Sequence, residues 1–116
     1  VHPSAIVDPT CQLGEGSVIL SGCILDQNVV LNSNVLLNTG VMIAHDSQIG
    51  AHSFLAPRCN VAGFVVIGEK NFIGIGANVI DNVKTIERTQ IGGGALVHKN
   101  ISEPGLYVGV PARKIK

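Results

Sequence analysis

Every sixth residue from Val1 is aliphatic: Val1, Val7, Leu13, Ile19, Leu25, Leu31, Leu37, Ile43, Ile49, Leu55, Val61, Ile67, Ile73, Val79, Ile91 and Val97, with Thr85 alone breaking the row. A second row, two residues earlier in each hexad, is small or β-branched: Ala5, Cys11, Ser17, Cys23, Val29, Val35, Val41, Ser47, Ser53, Cys59, Val65, Asn71, Ala77, Val83, Thr89 and Ala95. A six-residue period drifts out of phase with the 3.6 residues of a helical turn. Two inward rows separated by two residues fit one face of a strand instead. The position after the aliphatic is often Gly, Asn or Asp (Asp8, Gly14, Asp26, Asn32, Asn38, Gly50, Gly68, Gly74, Gly92). Such residues tolerate tight turns, so a corner is predicted there. Three short sides close a triangular coil, and stacked coils make an all-β, parallel β-helix of about five coils between Val7 and Val97.

The rhythm stops after Val97. Residues 1–98 are therefore read as the β-helix domain and 99–116, with Pro104, Gly105 and Pro111, as a tail that caps the last coil and covers its open sheet edge. The sequence starts mid-pattern at Val1, with only Pro3 and Pro9 as edge blockers, so an upstream segment is expected.

Aromatic residues make up 3% of the chain and charged ones 14%, which leaves thin layers of Val, Ile and Leu to build the interior. The net charge is zero but unevenly placed: all eight Lys and Arg lie from Arg58 onward, while Asp8, Glu15, Asp26 and Asp46 have no basic counterpart before it. A basic second half suits an anionic ligand. It does not suit nucleic acid, because no stacking aromatics are interleaved with the cations. No apolar run reaches the length of a membrane span and no leader pattern is present, so a cytoplasmic protein is expected.

Cys11, Cys23 and Cys59 all fall in the small inward row and form no C-x-x-C pair, which reads as core packing. His2, His45, His52 and His98 are candidate metal ligands, but no third His falls above or below His45 and His52, so no metal is expected. His2 and His98 read as solvated. His45 differs because its phase puts it at a corner. Asp46 follows it and can orient an imidazole. Gly63 lies three hexads on, so its N–H should be one coil step away, about 4.8 Å. Asn38, one side earlier, is expected close by as a neutral hydrogen-bonding group. A base, an oxyanion donor and an anchor in one groove suit acyl transfer. The glycines of FIGIGAN and IGGGA do not sit at a strand-to-helix junction, so they are not a dinucleotide fingerprint; they bring bare backbone to the surface.

The segments LNTGVMIAHDSQIG, CNVAGFVVIGEKNFIGIGANV, IGGGALV and GVPARKIK, in that order, resemble hexapeptide-repeat acyltransferases, and more narrowly the sugar acetyltransferases of the sialic-acid and bacillosamine type. The resemblance covers essentially the whole chain. It implies a left-handed β-helix, a homotrimer, and acetyl-CoA bound in grooves between subunits. By the same resemblance His45 is the general base, Asp46 its support, Asn38 a contact to the acceptor sugar, and Gly63 N–H the donor to the acetyl carbonyl. Ile75, Gly93, Lys99 and the Pro111–Arg113 tail are implied contacts to the cofactor's pantetheine and nucleotide. Two departures stand out. The family's second His, nine residues beyond the first, is Phe54 here, with His52 two positions earlier; and the N-terminal sugar-nucleotide-binding domain of close relatives does not precede Val1 in this sequence.

The leading expectation is direct transfer of acetyl from acetyl-CoA to an amino group of a nucleotide-activated deoxy-sugar. One alternative keeps the same base and moves the acetyl group to a hydroxyl, as in sialic-acid O-acetylation. The other is a non-catalytic trimeric β-helix.

Overall fold

A computed structural model describes residues 1–116, and it contains no helix. Seventeen short strands, β1 to β17 in chain order, are stacked on three faces. The first face carries β1 (Ile6–Val7), β4 (Ile24–Leu25), β7 (Met42–Ile43), β10 (Asn60–Val61), β13 (Asn78–Val79) and β15 (Leu96–Val97). The second carries β2 (Gln12–Leu13), β5 (Val30–Leu31), β8 (Gln48–Ile49) and β11 (Val66–Ile67). The third carries β3 (Val18–Ile19), β6 (Leu36–Leu37), β9 (Phe54–Leu55), β12 (Phe72–Ile73), β14 (Thr89–Ile91), β16 (Gly105–Val108) and β17 (Arg113–Lys114). All pairings are parallel except β16 with β17. This is a left-handed parallel β-helix. Five 18-residue steps separate the six strands of the first face, which makes about six turns once the partial end turn is included.

Both inward rows are buried from Ile19 onward, and they make up nearly all of a 23-residue core. Hydroxyls in the small row are satisfied across the stack. Ser47 Oγ donates to Ala62 O at 2.6 Å and accepts from Val65 N–H at 3.1 Å. Ser53 repeats the pattern with Gly68 O and Asn71 N–H. No buried side-chain polar atom lacks a partner.

The corners differ in detail from the sequence reading. The left-handed residue comes three positions after the buried aliphatic, as in Asn28, Asn34, Gly40, Asp46, His52 and Gly76, not one. The glycines directly after the aliphatic serve another purpose: a Cβ at Gly14, Gly50, Gly68 or Gly74 would collide with backbone atoms of the next coil. They permit close stacking rather than a left-handed turn.

Thr85, the one polar member of the aliphatic row, sits where the register changes. Val79 pairs with Val97, eighteen residues on, but Thr85 bridges Ile101, only sixteen on. Its hydroxyl donates to Asn71 Oδ1 at 2.6 Å and accepts from Gly68 N–H at 3.1 Å, while Asn71 Nδ2 donates to Glu69 O and Ile86 O. Thr85→Val would strand a buried carbonyl oxygen and a backbone N–H. The expected cost is about 1–3 kcal/mol, read as a lower denaturation midpoint. An unchanged midpoint would show that this network contributes nothing.

Beyond β15 the tail folds back onto the stack. β16 lies on β14, Leu96 N–H donates to Gly109 O, and Ala112 N–H donates to Leu96 O. Tyr107 Oη donates to Glu103 O, and Lys114 Nζ reaches Glu103 Oε2 at 3.1 Å.

Candidate active site

His45 stands on the edge between the first and second faces, two residues after Ile43 of β7. Its Nδ1 lies 3.0 Å from Asp46 Oδ2, with the two side chains 43% and 32% exposed. A carboxylate only accepts, so Nδ1 donates to it, and in the neutral ring this tautomer leaves the lone pair on Nε2. Asp46 reaches back to the preceding residue because it occupies the left-handed corner position, φ 61°.

Gly63 is the next residue up this edge, one coil above His45, as the stacking of β10 on β7 requires. A Cβ on Gly63 would lie 2.8 Å from His45 Cε1 and 2.9 Å from Nε2, so the imidazole rests against bare backbone. Gly63 N–H donates to no acceptor within the chain. The neighbouring Phe64 N–H holds His45 O at 3.1 Å, which ties the two corners together.

The same edge continues through Asp81 to Lys99, three coil steps or about 14 Å from His45. There a cavity of about 340 Å³ opens among Val97, His98, Lys99, Asn100, Ile101, Ser102, Glu103, Tyr107 and Ala112.

The other residues singled out from sequence lie elsewhere. Asn38 is on the edge between the third and first faces, where its Oδ1 accepts from Thr39 N–H at 2.7 Å. A whole face separates it from His45, so within one chain it is not the close neighbour expected. Ile75 and Gly93 stack on that same second edge: Gly94 N–H donates to Ile75 O, and a Cβ on Gly93 would touch Ile75 Cγ2 at 3.1 Å. The stretch containing Pro111 crosses above them, since it runs from β16 on the third face to Ala112 on the first, with Arg113 following. The candidate residues thus form two sets: His45, Asp46, Gly63 and Lys99 on one edge, Asn38, Ile75, Gly93 and the tail on the other.

Phe54 is on the third face, stacked on Phe72 with ring centroids 5.3 Å apart and planes 2° apart. With Val18 and Leu36 these rings form one outward apolar stripe, given by the pairing of β3, β6, β9 and β12. His52 lies on the remaining edge, as a left-handed corner residue. No group of three or more His, Cys, Asp or Glu comes together that could hold a metal ion. Burial pushes the Cys59 thiol up to about 12, and raises Cys11 and Cys23 as well, which leaves them uncharged packing groups rather than nucleophiles.

One contact was missed from sequence. Phe64 packs edge-to-face against the His45 ring, centroids 5.2 Å apart and planes 86° apart. Its signal was present: three positions after each aliphatic, Phe64 is the only hydrophobic side chain in the row.

No protein-family model matches the sequence. The chain is 35% identical to PerB from Caulobacter crescentus, solved with CoA and GDP-perosamine, and superposes with a TM-score of 0.98 over 100% of its own length and 56% of that chain. It is 34% identical over 99 residues to a UDP-3-O-acylglucosamine N-acyltransferase of Bordetella avium, covering 85% of this chain and 27% of the relative. The chain belongs to the hexapeptide-repeat acyltransferases. A GDP-perosamine N-acetyltransferase of Escherichia coli O157:H7 is 30% identical over 82 residues, 71% of this chain and 37% of that one. This hexapeptide-repeat chain therefore spans about a quarter to just over half of the length of these three relatives.

Proposed function

We propose that this chain is the acetyl-transferring unit of an enzyme that moves acetyl from acetyl-CoA to the amino group of a nucleotide-activated amino-deoxy-sugar. The observation that carries the reading is the contact between the His45 ring and Gly63, with Asp46 on Nδ1 and a free backbone N–H beside it. In this scheme His45 Nε2 accepts the proton as the amine attacks the thioester carbonyl. The C–N bond forms, Gly63 N–H donates to the developing oxyanion, and the C–S bond breaks. The leaving thiolate then takes the proton from the imidazolium.

The surface suits the cofactor's chemistry. Lys99 and Arg113 offer positive charge for its phosphates, and Ile75 and Gly93 give a smooth apolar edge for its extended arm. The residues needed lie on two edges that one chain cannot bring together, which supports an assembly in which unlike edges of neighbouring copies face each other. Such contacts close into rings, and three triangular prisms make a homotrimer. The outward Val18–Leu36–Phe54–Phe72 stripe, exposed at Val18 and Phe72 and half-buried at Leu36 and Phe54, is apolar surface for that contact. No helix is long and apolar enough to cross a membrane; with acetyl-CoA and a nucleotide sugar as substrates, the reaction belongs in the cytoplasm.

The test is thiol release from acetyl-CoA, followed with a thiol-detecting dye, in the presence of GDP-perosamine, a UDP-linked amino sugar or sialic acid, beside the solution mass. The expected result is release that depends on an amino-sugar nucleotide, from a trimer. Release with sialic acid alone would make the chain an O-acetyltransferase. No heat of CoA binding by calorimetry would make it a scaffold.

A further inference from the structure

Phe64 is out of place by the rules that govern the other corners. Where the chain turns left-handed it uses Gly, Asn, Asp, His, Lys or Arg, yet here it uses Phe at φ 57°. A bulky side chain in that region is a conformational outlier that costs free energy. Burial does not offset the cost, because Phe64 remains 54% exposed. What the ring touches instead is His45, edge-to-face at 5.2 Å.

The imidazole has few restraints without it. Asp46 holds one atom, Nδ1, and Gly63 offers a surface with no side chain, so the ring can pivot about that hydrogen bond toward solvent. Phe64 stands against it and removes the pivot. We propose that Phe64 is a positioning residue: it holds the His45 imidazole against Gly63, with Nε2 beside the free Gly63 N–H, and the strain of its own backbone is the cost of that placement. The inference rests on the reading of His45 as the base.

The test compares Phe64→Asn and Phe64→Tyr in the native chain, and Phe64→Asn again in a His45→Ala background. Steady-state kinetics use acetyl-CoA with whichever amino-sugar nucleotide supports thiol release, alongside thermal unfolding. Asn is at home in a left-handed corner, so Phe64→Asn should unfold at the same temperature or higher. Its kcat should still fall by about ten-fold or more, with both KM values held within about two-fold. Phe64→Tyr keeps the aromatic contact and should retain kcat. In the His45→Ala background Phe64→Asn should change nothing further, since it acts through a ring that is gone.

An unchanged kcat in Phe64→Asn overturns the proposal. So does a rise in acceptor KM alone, which would make Phe64 a wall of the acceptor site, and so does an equal further loss on top of His45→Ala. If His45→Ala itself turns over like the native chain, it is the reading of the base that has failed. If His45→Ala is inactive and Phe64→Asn is not, only the positioning role has failed.

Discussion

His45→Gln should lower kcat by about 10²–10⁴-fold, the usual contribution of a positioned base, and leave the KM for acetyl-CoA nearly unchanged. The side chain is at an edge and half-exposed, outside the core formed by the two inward rows, so its removal should not lower the melting temperature. Loss of rate is then a chemical effect and not an unfolding effect. Gln keeps some bulk over Gly63 but cannot take a proton. Asp46→Asn should cost less: the amide can still accept from Nδ1–H, but no longer stabilises the imidazolium by charge. The two variants, assayed side by side for thiol release at saturating acetyl-CoA, rank the base above its support. A His45→Gln enzyme that turns over at the native rate would sink the proposed chemistry, whatever the acceptor.

The sequence made the solenoid legible because its core is a strict row: a residue every sixth position either faces inward or does not, and Ile19 through Val97 do. The neighbour rule of the stack was equally readable. His45 and Gly63 differ by eighteen, and the coil step is eighteen. Asn38 is no close neighbour of His45 within one chain because the seven-residue step between them crosses a whole face, however near the two are in sequence. In a coil of this kind proximity runs up the edges, not around the perimeter. The corner glycines were misread for a related reason. Gly tolerates both a left-handed turn and the close approach of another backbone, and only coordinates tell the two uses apart, as Gly76 and Gly74 do within one corner. Thr85 looked like a defect in the row because its partner, Asn71, sits in the other row and is reached only across the stack. Phe64 stands out only in the row three positions after each aliphatic, and that row becomes meaningful once the left-handed corner position is known to lie there.

Gly63→Ala offers the sharpest geometric test of the site. The Gly63 φ lies outside the left-handed region, so Ala adopts the backbone without strain and should stabilise the chain slightly through the unfolded state. The new methyl, however, would sit 2.8 Å from His45 Cε1 and 2.9 Å from Nε2, closer than carbon and nitrogen can approach. Backbone cannot yield, since Phe64 N–H and His45 O hold the two corners together at 3.1 Å. The ring is the far end of a half-exposed side chain, and it will be pushed off its seat together with the exposed Phe64 ring that stands against it. Ala keeps the N–H that would stabilise the oxyanion, so the loss reports on the displaced base alone. A displacement near 1 Å is enough to cost about 10²-fold in kcat. Melting temperature at or above that of the native chain, together with such a fall in kcat, is the expected pair of results. If kcat survives intact while the fold does too, the imidazole does its work from some other position, and its seat on Gly63 is packing without chemical meaning.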